Sequence, residues 1–170
     1  EVLNVPAVQS GNDTNIEQII ALGPQVVLMS TMAQTEEQIQ ALENAGIKVV
    51  VSEGKDIQGV YTAIDLIGKV VGNEEEAAEA IESMKNTFSE ISEKATEDGT
   101  KTIYFEISPL EYGLWTAGTG TFMDELAGLV GLKNAFSDVE SWGEISQEQV
   151  IQRNPDYIVT STMSYGDGPT

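Results

Sequence analysis

Few side chains in this sequence have the types and spacing that acid–base or nucleophilic chemistry requires. Histidine and cysteine are both absent from its 170 residues, which excludes Ser-His-Asp and Cys-His catalysis and metal sites built on imidazole or thiolate. Glu106, Glu111 and Asp124 could form an acid pair for hydrolysis, but no regular spacing groups them. We therefore predict no catalytic residue, no metal site and no resident cofactor, and we expect that the protein is not an enzyme.

The residues best suited to binding are aromatic, because their rings stack on planar or macrocyclic ligands. Tyr112, Trp115 and Trp142 are the candidates, and packing in the core would account for them equally well. A short glycine motif at 118–121 (Gly-Thr-Gly-Thr) stands before a predicted helix, where it could cradle a phosphate. It lacks the lysine of a P-loop, so we interpret it as a tight turn.

Acidic residues dominate the charge of the sequence. It carries 8 basic and 28 acidic residues, a net charge of −20, so its surface repels phosphate backbones and nucleic acid is a poor partner. The same charge favours a partner with positive patches. No apolar run approaches the roughly 18 residues that span a bilayer, and the first residues lack the basic and apolar stretches of a signal peptide. We expect any membrane attachment to come from an anchor outside this sequence.

Local signals place helices and strands along the chain. Residues 26–30 and 47–51 form β-rich runs on either side of a helix that begins with a capping box at Thr35 and Gln38. Strand, helix and strand at these lengths predict a βαβ unit with a parallel sheet. Further along, we predict helices at 57–71 (capped by Asp56), 74–95 (capped by Asn73), 121–130 and 146–153, strands at 101–107 and 157–161, and a long loop at 108–120.

An internal repeat becomes visible when the sequence is shifted by 131 positions (146 − 15). Residues 15–24 then lie over residues 146–155 without a gap, and the strands that follow stay in register. Glu17 aligns with Glu148 in this comparison. A repeat of this length predicts two similar α/β lobes, although part of it is the general pattern of a helix, a turn and a strand.

We place these lobes at residues 1–55 and 99–170, joined by a helical connector at residues 56–98. The carboxyl ends of parallel strands in the two lobes would line a cleft between them, and Met32 and Pro109 follow such strand ends. A lobe with only two clear strands is not stable alone. We therefore expect further strands of each lobe outside this sequence; the alternative is that the two half-lobes pack on each other or on a second copy of the chain.

Three stretches of the sequence resemble the cobalamin and ferric-siderophore class of periplasmic binding proteins. Residues 15–24 are similar to the helix-turn-strand of that family's first lobe, with Gln25 where the family often has Asp. The segment 115–126 (WTAGTGTFMDEL) looks like its second-lobe "TAG-GTF" segment. Residues 142–156 are similar to a stretch of that family in which a tryptophan is followed by a helix that starts with Ser-x-Glu and then by Asn-Pro-Asp. Together with the repeat, the resemblance covers essentially the whole chain.

The resemblance implies two Rossmann-like lobes with parallel sheets joined by a helical backbone, the class III binding-protein architecture, truncated at both ends. It also implies the extracytoplasmic solute-binding subunit of an ABC importer, located in the periplasm or held on the cell surface as a lipoprotein. Such a protein captures an iron(III)-siderophore or a corrinoid and delivers it to a permease dimer with its ATPase. Haem is disfavoured because, without histidine, its iron would need Met or Tyr ligation.

The family resemblance also assigns residues. One surface glutamate per lobe docks on arginines of the permease in this family, and the matching positions here are Glu17 and Glu148. The expected ligand-binding residues come instead from their places near the predicted cleft: Met32, Pro109, Tyr112, Trp115, Thr116 and Trp142. Two alternatives stay open from the sequence: a ligand-sensing or adaptor module with the same fold, and a sugar- or nucleotide-modifying α/β enzyme.

Overall fold

The computed structural model describes residues 5–8, 14–30, 35–96, 99–108 and 112–161 of the chain. The chain divides into two compact units, residues 1–53 and residues 54–170. Each unit has its own sheet. The helical segment at 56–98 belongs to the second unit in this division, and its role as a connector between lobes stays a prediction.

The first unit is a βαβ unit preceded by a short helix. Its elements in chain order are α1 (Ile16–Leu22), β1 (Val26–Ser30), α2 (Glu36–Asn44) and β2 (Lys48–Ser52). β1 and β2 pair in parallel with Val26 opposite Lys48, which confirms the predicted pairing. Met29, Leu42 and Ile47 form the buried core of this unit, because the apolar sides of the strands and of α2 face each other.

Local hydrogen bonds fix the ends of the helices in this unit. Thr35 and Gln38 form the predicted capping box, in which each backbone N–H donates to the side-chain oxygen of the other residue. Asn15 caps α1 more simply, because its Oδ1 accepts from the Gln18 N–H at 2.9 Å. α1 is terminated by its C-cap residue Gly23, whose φ of 61° lies in the left-handed region that glycine adopts without steric cost.

The second unit opens with the helices α3 (Ile57–Val71) and α4 (Glu74–Lys94). Asp56 caps α3 as predicted, since its carboxylate accepts from the Gly59 N–H. The predicted cap at Asn73 is wrong: its side chain makes no capping hydrogen bond, and glutamates in the first turn of α4 complement the helix dipole instead. The two helices pack closely at Gly68, where a Cβ atom would lie 2.5 Å from the Cβ of Ala77.

Within the described residues, a five-stranded sheet and two helices form the rest of the second unit. The elements in chain order are β3 (Thr102–Glu106), β4 (Leu114–Ala117), α5 (Phe122–Leu129), β5 (Lys133–Asn134), β6 (Trp142–Ile145), α6 (Gln147–Arg153) and β7 (Tyr157–Thr160). β3 pairs in parallel with β5 and β7 and antiparallel with β4. β4 pairs antiparallel with β6, so β4 and β6 form a strand pair on one side of β3.

The α/β class is confirmed, but the sheet of the second unit is mixed where we predict a parallel one. The predicted loop at 108–120 is also wrong, because it contains β4. The link between β3 and β4, residues 107–113, is shorter than the dozen or more residues that a parallel crossover needs, so β4 returns antiparallel. Ser108 Oγ donates to the Gly113 carbonyl at 2.7 Å and closes this link.

β3 is the buried strand of this sheet because both of its faces are covered. On one face, Ile103 and Phe105 pack with Ala127 of α5. On the other face, Tyr104 packs with Phe136, and α6 lies against that cluster. Successive residues of a strand point to opposite faces, so α5 and α6 lie on opposite sides of the sheet. This packing fixes the two helices relative to the β4–β6 pair.

Candidate functional site

Trp115 and Trp142 lie on the same face of the β4–β6 strand pair. Trp115 lies opposite Glu144 in this antiparallel pair, and Ala117 lies opposite Trp142. Opposed residues point to the same side and neighbours along a strand alternate, so the two indoles share one side with the Glu144 side chain. Trp115 is 37% exposed and Trp142 is 41% exposed. We call this surface the tryptophan face (Trp115, Trp142 and Glu144).

The indole of Trp142 is held in place by α5. Phe122, the first residue of α5, contacts it edge-on, with the ring centroids 6.0 Å apart. The Phe122 N–H donates to the Lys55 carbonyl at 2.9 Å, and the Thr121 hydroxyl caps α5 by accepting from the Asp124 N–H. Trp142 therefore packs on one side and remains partly exposed on the other, as a stacking surface requires.

The segment at 118–121 is the tight turn that we predict from the sequence. The N–H groups of Gly118 and Thr119 donate to the carbonyls of Ser141 and Val139, so these two donors are already used within the protein. A Cβ atom at Gly118 would collide with the Val139 carbonyl, which restricts this position to glycine. The turn joins the end of β4 to the segment before β6 and so supports the tryptophan face.

Glu144 and Trp115 converge on Gly113 at the start of β4. Gly113 has a φ of 86°, and a Cβ atom there would lie 3.3 Å from Glu144 Oε1 and 3.9 Å from Trp115 Nε1. The missing side chain lets the carboxylate and the indole N–H lie over the backbone at this point. Tyr112 precedes Gly113 directly and is 71% exposed. The third aromatic candidate therefore adjoins the tryptophan face along the chain.

The remaining expected ligand residues do not add to this surface. Thr116 alternates with Trp115 along β4, so it points to the opposite side of the sheet, where it is fully buried. Its hydroxyl has no hydrogen-bond partner among the described residues. Met32 and Pro109 lie outside the residues that the structure describes. The structure therefore brings Trp115 and Trp142 together, adds Glu144, and separates Thr116 from them.

The internal repeat is confirmed by the helix boundaries. α1 (Ile16–Leu22) and α6 (Gln147–Arg153) begin and end at equivalent positions, and each follows a capping residue, Asn15 or Ser146. Glu17 and Glu148 lie in the first turns of these helices and are exposed. Each expected docking glutamate therefore stands at the same point of the repeated segment within its own unit.

α6 is anchored to its unit by Arg153, the only arginine of the sequence. The guanidinium donates to both carboxylate oxygens of Asp138 and to the Ala135 carbonyl, and it lies 4.3 Å from the ring centroid of Phe136. The hydrogen bond from Arg153 lowers the pKa of the Asp138 carboxyl. The sequence shows this arginine but not its partners, which belong to a separate turn. The anchor fixes the helix that carries Glu148.

A shallow groove of about 270 Å³ lies on the α6 side of the sheet. Its apolar lining includes Val150, Ile151 and Ile158, and its polar lining includes Glu106 and Tyr104. The Tyr104 hydroxyl has no hydrogen-bond partner among the described residues, and burial raises its pKa to about 12. A phenol with this pKa stays protonated near neutral pH and is a poor general base there.

Two further features concern metals and membranes. Nowhere in the described ranges do three or more acidic side chains gather so that they could hold a metal ion. None of the helices in these ranges has the length and the apolar surface needed to cross a membrane.

The family of the chain follows from a comparison over its whole length. The model of the periplasmic binding protein family matches residues 1–169. The chain therefore belongs to the periplasmic binding protein family, which confirms the class that the three sequence stretches indicate. Membership of a family of binding proteins also confirms the expectation that the chain is not an enzyme.

Individual relatives agree with this assignment. The uncharacterized ABC transporter substrate-binding lipoprotein YvrC of Bacillus subtilis (strain 168) is 35% identical over 167 residues, which cover 95% of this chain and 52% of that protein. The vitamin B12-binding protein of Salmonella choleraesuis (strain SC-B67) is 24% identical over 164 residues, covering 95% of this chain and 60% of that protein. The chain thus spans about half of the length of the curated relatives it matches.

A solved structure supports the fold directly. The periplasmic heme binding protein HutB of Vibrio cholerae superimposes with a TM-score of 0.81 and 27% sequence identity. The match covers 94% of this chain and 62% of that protein. The architecture described above is therefore that of a periplasmic binding protein.

Proposed function

We propose that the protein is the extracytoplasmic solute-binding subunit of an ABC importer, located in the periplasm or attached to the cell surface as a lipoprotein. In this role it captures an iron(III)-siderophore or a corrinoid and delivers it to a permease dimer with its ATPase. The family assignment and the transporter name of the Bacillus relative support the role in transport. The names of the vitamin B12-binding and heme-binding relatives support a macrocyclic or chelate ligand.

The tryptophan face is the structural observation that supports the proposed class of ligand. Trp115 and Trp142 present their rings on one side of a hydrogen-bonded strand pair, and Phe122 supports one of them. Aromatic stacking contributes about 0.5–1.5 kcal/mol per contact beyond the area that it buries. A planar macrocycle or the organic shell of a chelate would use such a surface, because these ligands combine apolar faces with polar edges.

Tryptophan fluorescence tests the ligand class. The full-length protein is titrated with cyanocobalamin, haemin, ferrioxamine B and ferric enterobactin, and calorimetry measures the affinities independently. We expect at least one of these chelates to bind and to quench Trp115 and Trp142, because a ligand stacked on an indole quenches its emission. Trp115→Phe and Trp142→Phe identify the contribution of each indole. An absence of binding by every chelate would contradict the proposed ligand class.

The docking function is assigned to Glu17 and Glu148. Each glutamate is exposed in the first turn of a capped helix, so its position is fixed while its carboxylate stays free to pair with a cation. Each also complements the dipole of its own helix, which is worth about 0.3–1 kcal/mol and needs no partner. Transport measurements are therefore needed to separate docking from this local effect.

The double variant Glu17→Gln with Glu148→Gln separates the two effects. We expect transport by the full importer to be lost while ligand affinity stays unchanged, because the substitutions remove charge without touching the tryptophan face. The matched control is Glu37→Gln with Glu75→Gln, which removes two exposed glutamates from the first turns of α2 and α4. Equal transport by both double variants would show that Glu17 and Glu148 have no special role.

A further inference from the structure

We propose that Glu144 makes the tryptophan face selective for chelates whose edges carry N–H donors or positive charge, and selects against chelates whose edges are anionic. The inference rests on the proposed ligand-capture function and goes beyond it by naming the chemistry of the preferred ligand. Glu144 has no place among the residues that the sequence motifs indicate. Only its pairing with Trp115 across β4 and β6 reveals its position.

The backbone directs the Glu144 side chain to the aromatic surface. Its place opposite Trp115 fixes the side of the sheet to which it points. Its Oε1 atom lies beside Gly113, 3.3 Å from the position that a Cβ atom of that residue would occupy. A ring that stacks on Trp115 would therefore bring its edge close to this carboxylate.

The Glu144 carboxylate is not neutralised within the described part of the chain. It takes part in none of the ion pairs or hydrogen bonds between the residues described there, and its side chain is exposed. Three basic side chains pair with other carboxylates: Arg153 with Asp138, Lys69 with Asp65, and Lys94 with Glu90. The whole sequence carries a net charge of −20, which also favours positively charged ligands over anionic ones.

The chemistry of a carboxylate decides which ligand edges it accepts. An ionised carboxylate only accepts hydrogen bonds, and a bond that an N–H group donates to it is roughly twice as strong as a neutral one. The amide groups around a corrin ring and the protonated amine of a cationic ferric hydroxamate supply such donors. The carboxylates of haem and the charged oxygens of a ferric catecholate would instead be repelled.

The variant Glu144→Gln tests this selectivity because it keeps the shape and removes the charge. Calorimetry on the full-length protein and the variant uses cyanocobalamin and ferrioxamine B as non-anionic probes and haemin and ferric enterobactin as anionic probes. We expect the variant to lose roughly tenfold in affinity for the non-anionic probes that bind, as the loss of one charge-assisted bond predicts, and to bind the anionic probes more tightly. Added salt should reduce the difference between the two proteins, because it screens exposed charges.

The outcomes separate this inference from the proposed function. Glu93→Gln, an exposed glutamate of α4, is the control and should leave every affinity unchanged. If chelates bind but Glu144→Gln leaves the ratio of anionic to non-anionic affinities the same, the role of Glu144 is wrong and the capture function stands. If no chelate binds the native protein or the variant, the proposed ligand class and this inference are both overturned.

Discussion

The two copies of the internal repeat have the same helix boundaries but are anchored differently. In the first copy, residues 15–30, Ile19 of α1 packs against the core of β1, β2 and α2. In the second copy, residues 146–161, the equivalent Val150 of α6 packs against the cluster around Phe136. Both copies therefore use an apolar side chain at this position to dock the helix on its sheet, and α1 adds Ile16 to this contact.

Polar anchors distinguish the second copy. Arg153 ties the end of α6 to a neighbouring turn, and the Asp156 carboxylate accepts from the N–H and hydroxyl of Thr102 at 2.8 and 3.1 Å. The equivalent positions of the first copy carry Leu22 and Gln25, so this copy has neither the guanidinium nor the carboxylate. The repeat thus preserves the helix that presents a glutamate, while the interactions that hold this helix differ.

Removing the core side chain beneath each copy has the largest expected effect. Phe136 and Leu42 are both fully buried, and truncation to alanine costs about 3–5 kcal/mol for Phe and about 2–5 kcal/mol for Leu. We expect Phe136→Ala to lower the hydrogen-exchange protection of α6 and β7, and Leu42→Ala to lower that of α1 and β1. Exchange resolved by peptide is the appropriate measurement, because a chain with two units need not unfold in a single step.

Conservative variants control for this pair of truncations. Phe136→Leu and Leu42→Met keep most of the buried volume, so they should cause a smaller loss of protection at the same segments. If Phe136→Ala lowered the protection of α1 as much as that of α6, the separate anchoring of the two copies would be wrong.

Loss of the Arg153 anchor is expected to have a smaller effect. Arg153→Met keeps an apolar stem over Phe136 but removes the bond to the Ala135 carbonyl, which costs about 1 kcal/mol. The pair with Asp138 adds little, because that carboxylate is exposed and water screens it. The matched change in the first copy is Leu22→Met, at a residue that is 50% exposed, and it should alter stability by less than about 0.5 kcal/mol. Equal losses of local protection in the two variants would contradict the difference in anchoring.

Much of the helical structure can be predicted from the sequence because its signals are local. A capping box needs only two residues that are three positions apart. The starts of α2 and α6 can therefore be predicted from Thr35 with Gln38 and from Ser146 with Gln149. The predicted cap at Asn73 is wrong because this prediction rests on residue type alone. Asparagine often caps helices, but its type does not determine whether its side chain turns toward the first-turn N–H groups. The repeat adds information at long range, and its boundaries agree with the structure throughout α1 and α6.

The tryptophan face could be predicted only in part. The sequence identifies Trp115 and Trp142 as aromatic candidates, but the side to which each ring points depends on the register of β4 with β6. That register is a long-range property, and short strands follow their partners more than their own propensity. The same dependence explains why Thr116 is placed with the tryptophans in sequence and away from them in the sheet, and why Glu144 has no sequence signal.

The caps of α1 and α6 allow a finer comparison of the two copies, because only α6 has a capping box. Gln149 closes the box of α6, because its side chain accepts from the Ser146 N–H at 2.8 Å. The equivalent Gln18 contributes its backbone N–H to the cap of α1. We expect Gln149→Ala to lower the stability of α6 by about 0.5 kcal/mol and Gln18→Ala to leave α1 unchanged within error. Exchange rates of the first-turn amides measure both, and an equal response would show that the reciprocal bond contributes nothing.

Acid should weaken the second copy through its polar anchors, with the smallest effect because both carboxylates are exposed. The hydrogen bond from Arg153 lowers the pKa of Asp138, and the backbone bond from Thr102 lowers the pKa of Asp156. A carboxyl whose pKa is lower in the folded protein than in the unfolded chain stabilises the fold above the unfolded pKa. That stabilisation is lost as the pH falls through the folded pKa. The loss therefore begins below about pH 4, the ordinary range of an aspartate.

The first copy lacks both titrating anchors, so it serves as the internal reference for this acid effect. We expect the protection of α6 and β7, corrected for intrinsic exchange rates, to fall relative to that of α1 and β1 between pH 5 and pH 3. The double variant Arg153→Met with Asp156→Asn should remove the difference, because neither polar anchor can then gain or lose charge-dependent bonds. If α6 and β7 of this variant still lost protection relative to α1 and β1, other carboxylates would cause the acid sensitivity. The two copies would then differ only in their apolar contacts.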